Sequence, residues 1–407
     1  MEKSVATMHQ KVINHIHDDI ALLILSKLPV KSLKRFRCVC KSWTLLFENT
    51  HFMSIYRNNL IARNQVDHEG TSYLLQHAMI DDHKYKTSLH FLSSERSEKM
   101  VKLDYLPSFQ KDNQDVEILS SRSINGILCI CIYGFNEKTL ALWNPATEEF
   151  KIIPPSDIES EPYWYFGPLI HGFGYDHVQN DYKVIRRATF DELTYHDCKR
   201  LGLEFRDVPW QDISYEPVWE IYSFRNNSWS KFYFDFPLME IPYNPYEIVR
   251  FYRDGMCHWW YKSEDHLFET SLMSFDVSNG LFITTPMPKD NDDVLDLNWI
   301  KRHLVTLINE YIVLISYRGE MTTFHISILS EIGVKESWTK FFNVGPLSCV
   351  ARPIRGGKNG DIFFIKNDEE LACFDLGTMM IEELGVKLSV KGQLCEMVIY
   401  KQNLLPI

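Results

Sequence analysis

Three residues that could carry acid–base or metal chemistry meet in the stretch "YDHVQND": Asp176, His177 and Asp181. Two carboxylates around an imidazole can exchange a proton or hold a divalent ion. A hairpin turn uses the same residue types, because Asp and Asn side chains accept hydrogen bonds from backbone amides two residues on, and the turn is the simpler account. "HDC", His196 to Cys198, lies in a charged insertion and reads as solvated loop. The nine cysteines, at 38, 40, 129, 131, 198, 257, 349, 373 and 395, contain no Cys-x-x-Cys pair and give a zinc site no support. Cys129 and Cys131 share one face of a strand and read as core filler; buried free thiols suit a reducing compartment. Gly-x-Ser-x-Gly, the P-loop, His-Glu-x-x-His and Gly-x-Gly-x-x-Gly are all absent, and "GFGYDH" has two of three glycines but opens no helix. No catalytic residue, metal ligand or cofactor is therefore assigned. Carboxylates that converge only in three dimensions leave a catalytic alternative open.

The chain that must position any site has 407 residues, 45% hydrophobic and 14% aromatic, with a formal net charge of −11. That allows two or three domains, or one small domain beside a large all-β one. An acidic balance argues against nucleic acid as the main partner, since phosphate binding needs a basic surface. The N-terminus "MEKSVATMHQKVINHIHDD" has no apolar core or small-residue cleavage site. "IALLIL" is far shorter than the roughly 20 residues of a membrane span. The expectation is a soluble intracellular protein, in cytoplasm, nucleus or both, with no membrane partner.

Within this acidic chain, "KLPVKSLKRFRCVCKSW" (Lys27 to Trp43) is basic and apolar at once. Before it, Asp18 and Asp19 precede Ile20, Leu23, Ile24 and Leu28, which fall on one helical face, and acids in a first turn complement the helix dipole. Pro29 ends that helix, because the residue before a proline is pushed out of the α region. Leu33, Phe36, Cys40, Trp43 and Phe47 form a second stripe at spacings of three and four. Residues 15–58 thus read as two or three short amphipathic helices, near the lower size limit for a self-sufficient core. Their stripes either pack within this protein or dock on helices of another chain; residue types alone leave both open.

"IHDDIALLILSKLPVKSLKRFRCVCKSW" resembles the F-box of plant F-box proteins. Leu28-Pro29, Lys31-Ser32-Leu33, Arg35-Phe36, Val39-Cys40-Lys41 and Trp43 match that pattern in order and spacing. The family's opening Leu-Pro is Ile16-His17 here, so weaker docking is expected. The resemblance implies binding to the Skp-type adaptor of a cullin–RING ubiquitin ligase. It puts the adaptor contacts on Ile16, Ile20, Ile24, Leu28, Pro29, Leu33, Val39 and Trp43. The basic residues would suit an acidic partner surface, or form an ordinary solvated helix face.

After the polar connector "ARNQVDHEG" the texture shifts to period 2, with aromatics, Val and Ile between turn residues. One unit recurs. A hairpin turning on Asn, Asp or Gly ("SINGILCICIY", "RFYRDGMCHWWY", "VTLINEYIVLISY", "GGKNGDIFFIK") is followed by a second hairpin ("LALWNPATEEFKIIPP", "WEIYSFRNNSWSKFYF", "LMSFDVSNGLFITTP", "FHISILSEIGVKESWTKFF", "LACFDLGTMMIEEL"). Gly255, Glu310 and Gly360 mark first turns about 50 residues apart; the longer gap from Gly126 holds an extra unit around "GFGYDHVQNDYKVIRR". Four strands at that period are the signature of kelch-like propeller blades. Five units fall within 117–386. The strands "YLLQHAM", "SLHFLS" and "KMVKL" from one end and "KLSV" and "CEMVIY" from the other supply a sixth, closing the ring. The expected fold is mainly β: a short helical F-box at 12–58, a connector at 59–70, and a kelch-like β-propeller at 71–407, six-bladed, with five or seven blades as the alternatives.

"LALWNPATEEFKIIPP", "GFGYDHVQNDYKV", "IYSFRNNSWSKF", "GMCHWW", "LMSFDVS" and "GVKESWTKFF" resemble the F-box-associated domain of plant proteins, a group that includes S-locus F-box proteins and kelch-like defence regulators. In such a blade the connection between strands two and three leaves on the same side as the connection between blades. On that side stand 156–168, 191–217, 239–247 and 289–300, long and rich in aromatics and acids. Tyr163, Trp164, Tyr165, Trp210, Tyr243 and Tyr246 are the residue types that form interface hot spots; they either capture a target protein or fold back on the propeller. The resemblances together imply a non-catalytic substrate receptor of an SCF-type ligase. The alternatives are a propeller scaffold outside any ligase, and a propeller enzyme.

Overall fold

The computed structural model divides into two compact units, Met1–Gly70 and Thr71–Ile407. In the first it describes residues 18–28 and positions 36, 39, 41, 43, 51, 52 and 55. In the second it describes all residues except 82–83, 93–99, 103–114, 134–137, 161–164, 192–197, 200–201, 203, 209–216, 233–249, 263–269, 289–299, 307–311, 319–322, 357–360, 376–379, 389–394 and 405. The turns expected at Glu310 and Gly360 lie outside the described residues.

In the first unit α1 (Asp18–Leu25) occupies the expected place. Its end tightens: Lys27 N–H donates to Ile24 O and Leu28 N–H to Leu25 O, both at 3.0 Å, i→i−3 bonds of the kind that finish helices. Ser26 Oγ donates to Leu23 O at 2.8 Å.

Among the described residues the second unit has twenty-four strands. In chain order they are β1 (Thr71–Asp81), β2 (Lys84–Leu92), β3 (Met100–Lys102), β4 (Asp115–Ile118), β5 (Leu128–Tyr133), β6 (Lys138–Asn144), β7 (Glu149–Ile152), β8 (Tyr165–Asp176), β9 (Asp181–Asp191), β10 (Val218–Ser223), β11 (Ser228–Phe232) and β12 (Arg250–Arg253). There follow β13 (Met256–Lys262), β14 (Thr270–Asp276), β15 (Phe282–Pro286), β16 (Ile300–Thr306), β17 (Ile312–Arg318), β18 (Phe324–Leu329), β19 (Trp338–Val344), β20 (Val350–Gly356), β21 (Asp361–Lys366), β22 (Glu370–Asp375), β23 (Met380–Lys387) and β24 (Cys395–Lys401). They form six four-stranded antiparallel sheets, five of them in simple chain order: β4–β7, β8–β11, β12–β15, β16–β19 and β20–β23. The sixth is ordered β24-β1-β2-β3. The fold is a six-bladed β-propeller, closed by pairing β24 with β1 from Thr71↔Lys401 to His77↔Cys395. Closure differs from expectation in one detail: Lys387 of "KLSV" completes β23, so one C-terminal strand joins three N-terminal ones.

First strands of neighbouring blades meet, β8 with β12, β16 with β20 and β20 with β24, which places them innermost. Last strands such as β7 and β11 are mostly exposed. Alternation of side chains along a strand then feeds two different inter-blade cores. In β5, Leu128, Ile130 and Ile132 pack with Leu74 and Val398 on one side. Cys129 and Cys131 pack with Phe173 and Val184 on the other. The central strands therefore read as continuous apolar runs, as they do wherever both faces of a sheet are covered.

Two first turns show why Asn-Gly and Asp-Gly stand there. Asn125 and Gly126 have φ of 53° and 81°, Asp254 and Gly255 of 48° and 81°, the left-handed pair that such turns demand. Behind Gly126 runs the segment after β24: a Cβ at Gly126 would lie 2.5 Å from Asn403 Cβ.

Candidate interaction surfaces

On α1, Ile20, Leu23 and Ile24 project to one side and stay 52%, 50% and 50% exposed, while Leu25 on the opposite side is buried. Three neighbouring half-exposed aliphatic residues on so short a helix form an apolar patch of the kind that marks an interaction site. Val39 is also exposed, Leu28 and Trp43 are half-buried, and the Trp43 ring meets Phe36 edge-on at 5.6 Å. Phe52 is fully buried. Of the eight residues expected to contact an adaptor, Ile16, Pro29 and Leu33 lie outside the described residues. Leu23 joins the exposed face although the family pattern had not singled it out; its i+3 spacing from Ile20 was the available signal. Lys27 and Lys41 are exposed.

In the propeller the element order puts 153–164, 233–249 and 287–299 between blades and 192–217 between the second and third strands of its blade. Tyr163, Trp164, Trp210, Tyr243 and Tyr246 fall outside the described residues. Tyr165 opens β8 opposite Asp191. What is visible is how two of these connections are moored. Residues 153–160 are tied to the next blade through Arg186 of β9, which is 2% exposed. Its guanidinium donates to Glu220 Oε2 from Nε at 2.9 Å and from Nη2 at 2.6 Å, to Ser156 Oγ at 2.6 Å and to Glu159 Oε1 at 2.7 Å. It also lies 3.8 Å over the Trp229 ring, whose Nε1–H donates to Pro154 O at 2.7 Å. Trp338 Nε1–H repeats that bond two blades on, to Pro286 O at 3.1 Å. A buried cation so fully satisfied fixes where the connection leaves the sheet. In the 192–217 connection, Cys198 and Val208 are buried while Phe205 is 43% exposed.

The carboxylates of "YDHVQND" are committed to structure. Asp176 Oδ1 accepts from Val178 N–H at 2.9 Å and Gln179 N–H at 3.0 Å, and Oδ2 pairs with Lys183 Nζ at 2.7 Å. Burial alone would raise Asp176, but the Lys183, Gln179 and Ser278 hydrogen bonds prevail and hold it below the ordinary carboxylate range. Asp181 accepts from Ser223 Oγ at 2.6 Å and Arg225 N–H at 2.7 Å. Asp276 repeats the Asp176 turn, accepting from Ser278 N–H and Asn279 N–H. Burial pushes the thiols of Cys131 and Cys395 up to about 12, so neither is a nucleophile at neutral pH. Among the described residues no group of three or more His, Cys, Asp or Glu could hold a metal ion, and no helix is long and apolar enough to cross a membrane.

The innermost strands carry charge of both signs: Glu117 on β4, Arg250 on β12, Arg352 and Arg355 on β20, Glu396 on β24. Burial, with Glu117 adding to it against the arginines, raises Glu396 to about 7.

Compared with known proteins, residues 75–398 match the model of the F-box associated beta propeller domain, and residues 13–53 that of the F-box domain. Three Arabidopsis thaliana proteins named as F-box proteins are among its relatives. One is 31% identical over 206 residues, spanning about half of either protein, 50% of this chain and 48% of the relative. The others are each 24% identical, over 81% of this chain and 72% of the relative, and over 83% of both. Among solved structures, TolB from Acinetobacter baumannii aligns with 81% of this chain and 66% of its own at a TM-score of 0.43 and 8% identity.

Proposed function

Because this chain belongs to the F-box proteins with an F-box-associated β-propeller, we propose that it is the substrate-recognition subunit of an SCF-type cullin–RING ubiquitin ligase. The F-box, at 12–58, docks on a Skp-type adaptor, and the propeller, at 71–407, captures a target protein. The observation that carries this reading is the half-exposed face of Ile20, Leu23 and Ile24 on the helix that lies within the F-box match. No bond is made or broken on this chain. Its contribution is to raise the effective concentration of the target beside the charged ubiquitin-conjugating enzyme. The proposal is supported by the way Asp176 and Asp181 are used up in turns.

His17, standing where the family pattern has proline, favours one competing reading, a scaffold that holds partners without entering a ligase. Replacing Tyr163, Trp164 and Tyr165 by alanine separates the two. In a receptor the variant keeps the adaptor, releases the target and lengthens the target's half-life in cells. A partner lost with unchanged half-life, the adaptor still bound, rejects the ligase role.

A further inference from the structure

Blades β8–β11 and β12–β15 meet on a face where buried nitrogen donors gather without matching acceptors. His171 is the extra residue of a β-bulge on β8, where the register to β9 shifts between Ile170 and Gly172. A bulge of this kind re-aims a side chain. The His171 ring is 2% exposed, centred 4.7 Å from the Trp219 ring and 5.0 Å from that of Trp259. Neither of its nitrogens has a hydrogen-bond partner; nor have Trp259 Nε1, in a side chain 1% exposed, and Arg250 Nε. Arg250 faces Trp259 across the β12–β13 ladder, and Arg187, 5% exposed, faces Trp219 across β9–β10. The strands are pressed together here, for a Cβ on Gly172 would sit 2.7 Å from Cys257 Cβ.

Buried polar groups in folded proteins are satisfied with few exceptions, and four orphaned nitrogens on three adjacent side chains depart from that rule together. Burial, with Arg250 and Arg187 nearby, holds His171 well below its ordinary range, so the ring is neutral and offers one N–H and one lone pair. The cluster thus presents three N–H donors, from His171, Trp259 and Arg250, against a single acceptor. Of the carboxylates near Arg250, Glu117 stays 4.0 Å from its Nη1, and Glu396 is close enough to feel its charge. Donors in excess beside guanidinium charge call for an acceptor-only, negatively charged occupant. A single water accepts two hydrogen bonds and cannot serve all three.

We propose that the inner end of this blade interface is a binding site for a small free oxyanion of the carboxylate or phosphate class, held by His171, Trp259 and Arg250 with Arg187 supplying further positive charge. The site is independent of the ligase reading and of the aromatic connections.

The test uses the full chain, with inorganic phosphate and acetate as probes in separate titrations. Each is raised to roughly 10 mM at ionic strength held constant with sodium chloride, followed by calorimetry and by the thermal midpoint. The expected result is saturable binding of at least one probe with a midpoint shift that chloride does not reproduce; which probe binds more tightly identifies the class. His171→Phe keeps a ring between the two indoles while removing both nitrogens and should weaken binding about tenfold or more, as should Arg250→Gln. Both are checked for unchanged circular dichroism. Absence of saturable binding by either probe to the wild-type chain overturns the proposal. So does equal affinity in wild type and either folded variant.

Discussion

Replacing Ile20, Leu23 and Ile24 together by alanine should cost most of the affinity for a Skp-type adaptor. Each side chain is already half-covered, so only its remaining half can be buried on docking. Full burial of such a residue contributes about 1.5–3 kcal/mol, and half of it about 1 kcal/mol. Alanine keeps the β-carbon, so the three changes together should remove about 2–3 kcal/mol, roughly 30- to 150-fold in Kd. The assay is surface plasmon resonance with purified adaptor, alongside circular dichroism to establish that the variant is folded. Two controls bracket it. Val178→Ala, at a residue 79% exposed on a propeller hairpin, should leave Kd unchanged. Leu25→Ala removes a side chain 5% exposed and should act by destabilising the N-terminal unit, costing about 2–5 kcal/mol of its stability. A folded triple variant that binds within about twofold of wild type would refute the argument, because the exposed face would then have no role in docking.

Glu220→Ala takes from the buried Arg186 guanidinium the carboxylate that accepts from both its Nε and Nη2, and should cost about 3 kcal/mol in urea unfolding, whereas the double change Arg186→Met with Glu220→Leu should be close to neutral. Glu396 binds its proton more tightly folded, at about 7, than its ordinary 4.5. Its contribution is therefore full below pH 4.5 and is lost as pH rises to 7, by up to about 3 kcal/mol at about 1.4 kcal/mol per pKa step. Glu396→Gln should flatten that decline between pH 5 and 8 in urea midpoints, and since Glu396 keeps part of its surface accessible the figure is an upper bound. Gly255→Ala, with φ 81° but open space around it, should lose about 1 kcal/mol; Gly126→Ala, at the same φ but against Asn403, should lose about 1–3 kcal/mol more, read from thermal unfolding. His17→Pro should tighten adaptor binding in the same resonance assay; unchanged or weaker binding would show that the departure from the family pattern is harmless.

The period of turns and apolar runs was enough to place five sheets and to leave strands at both ends for a sixth, because hairpin pairing is local; "KLSV", expected in the closing blade, instead gives its Lys387 to β23. Asn125-Gly126 and Asp254-Gly255 can hardly be anything but left-handed turns, and the strands between such turns have one partner within reach. Closure was legible too, since odd strands at both ends leave edges that only each other can cover. The spacing of Ile20, Leu23 and Ile24 by itself likewise defines a helical face. What sequence could not assign is which neighbour each face of a sheet meets. Arg186 and Arg187 are adjacent and chemically identical. Alternation sends the first to Glu220, Ser156 and Glu159, residues 34, 30 and 27 positions away, and the second to the interface with the next blade. His171 turns toward Trp219 and Trp259 through a bulge of one residue that no composition or period announces. Partners so distant along the chain are chosen by register and by ring closure, and those are set by packing of the whole propeller, not by any local preference.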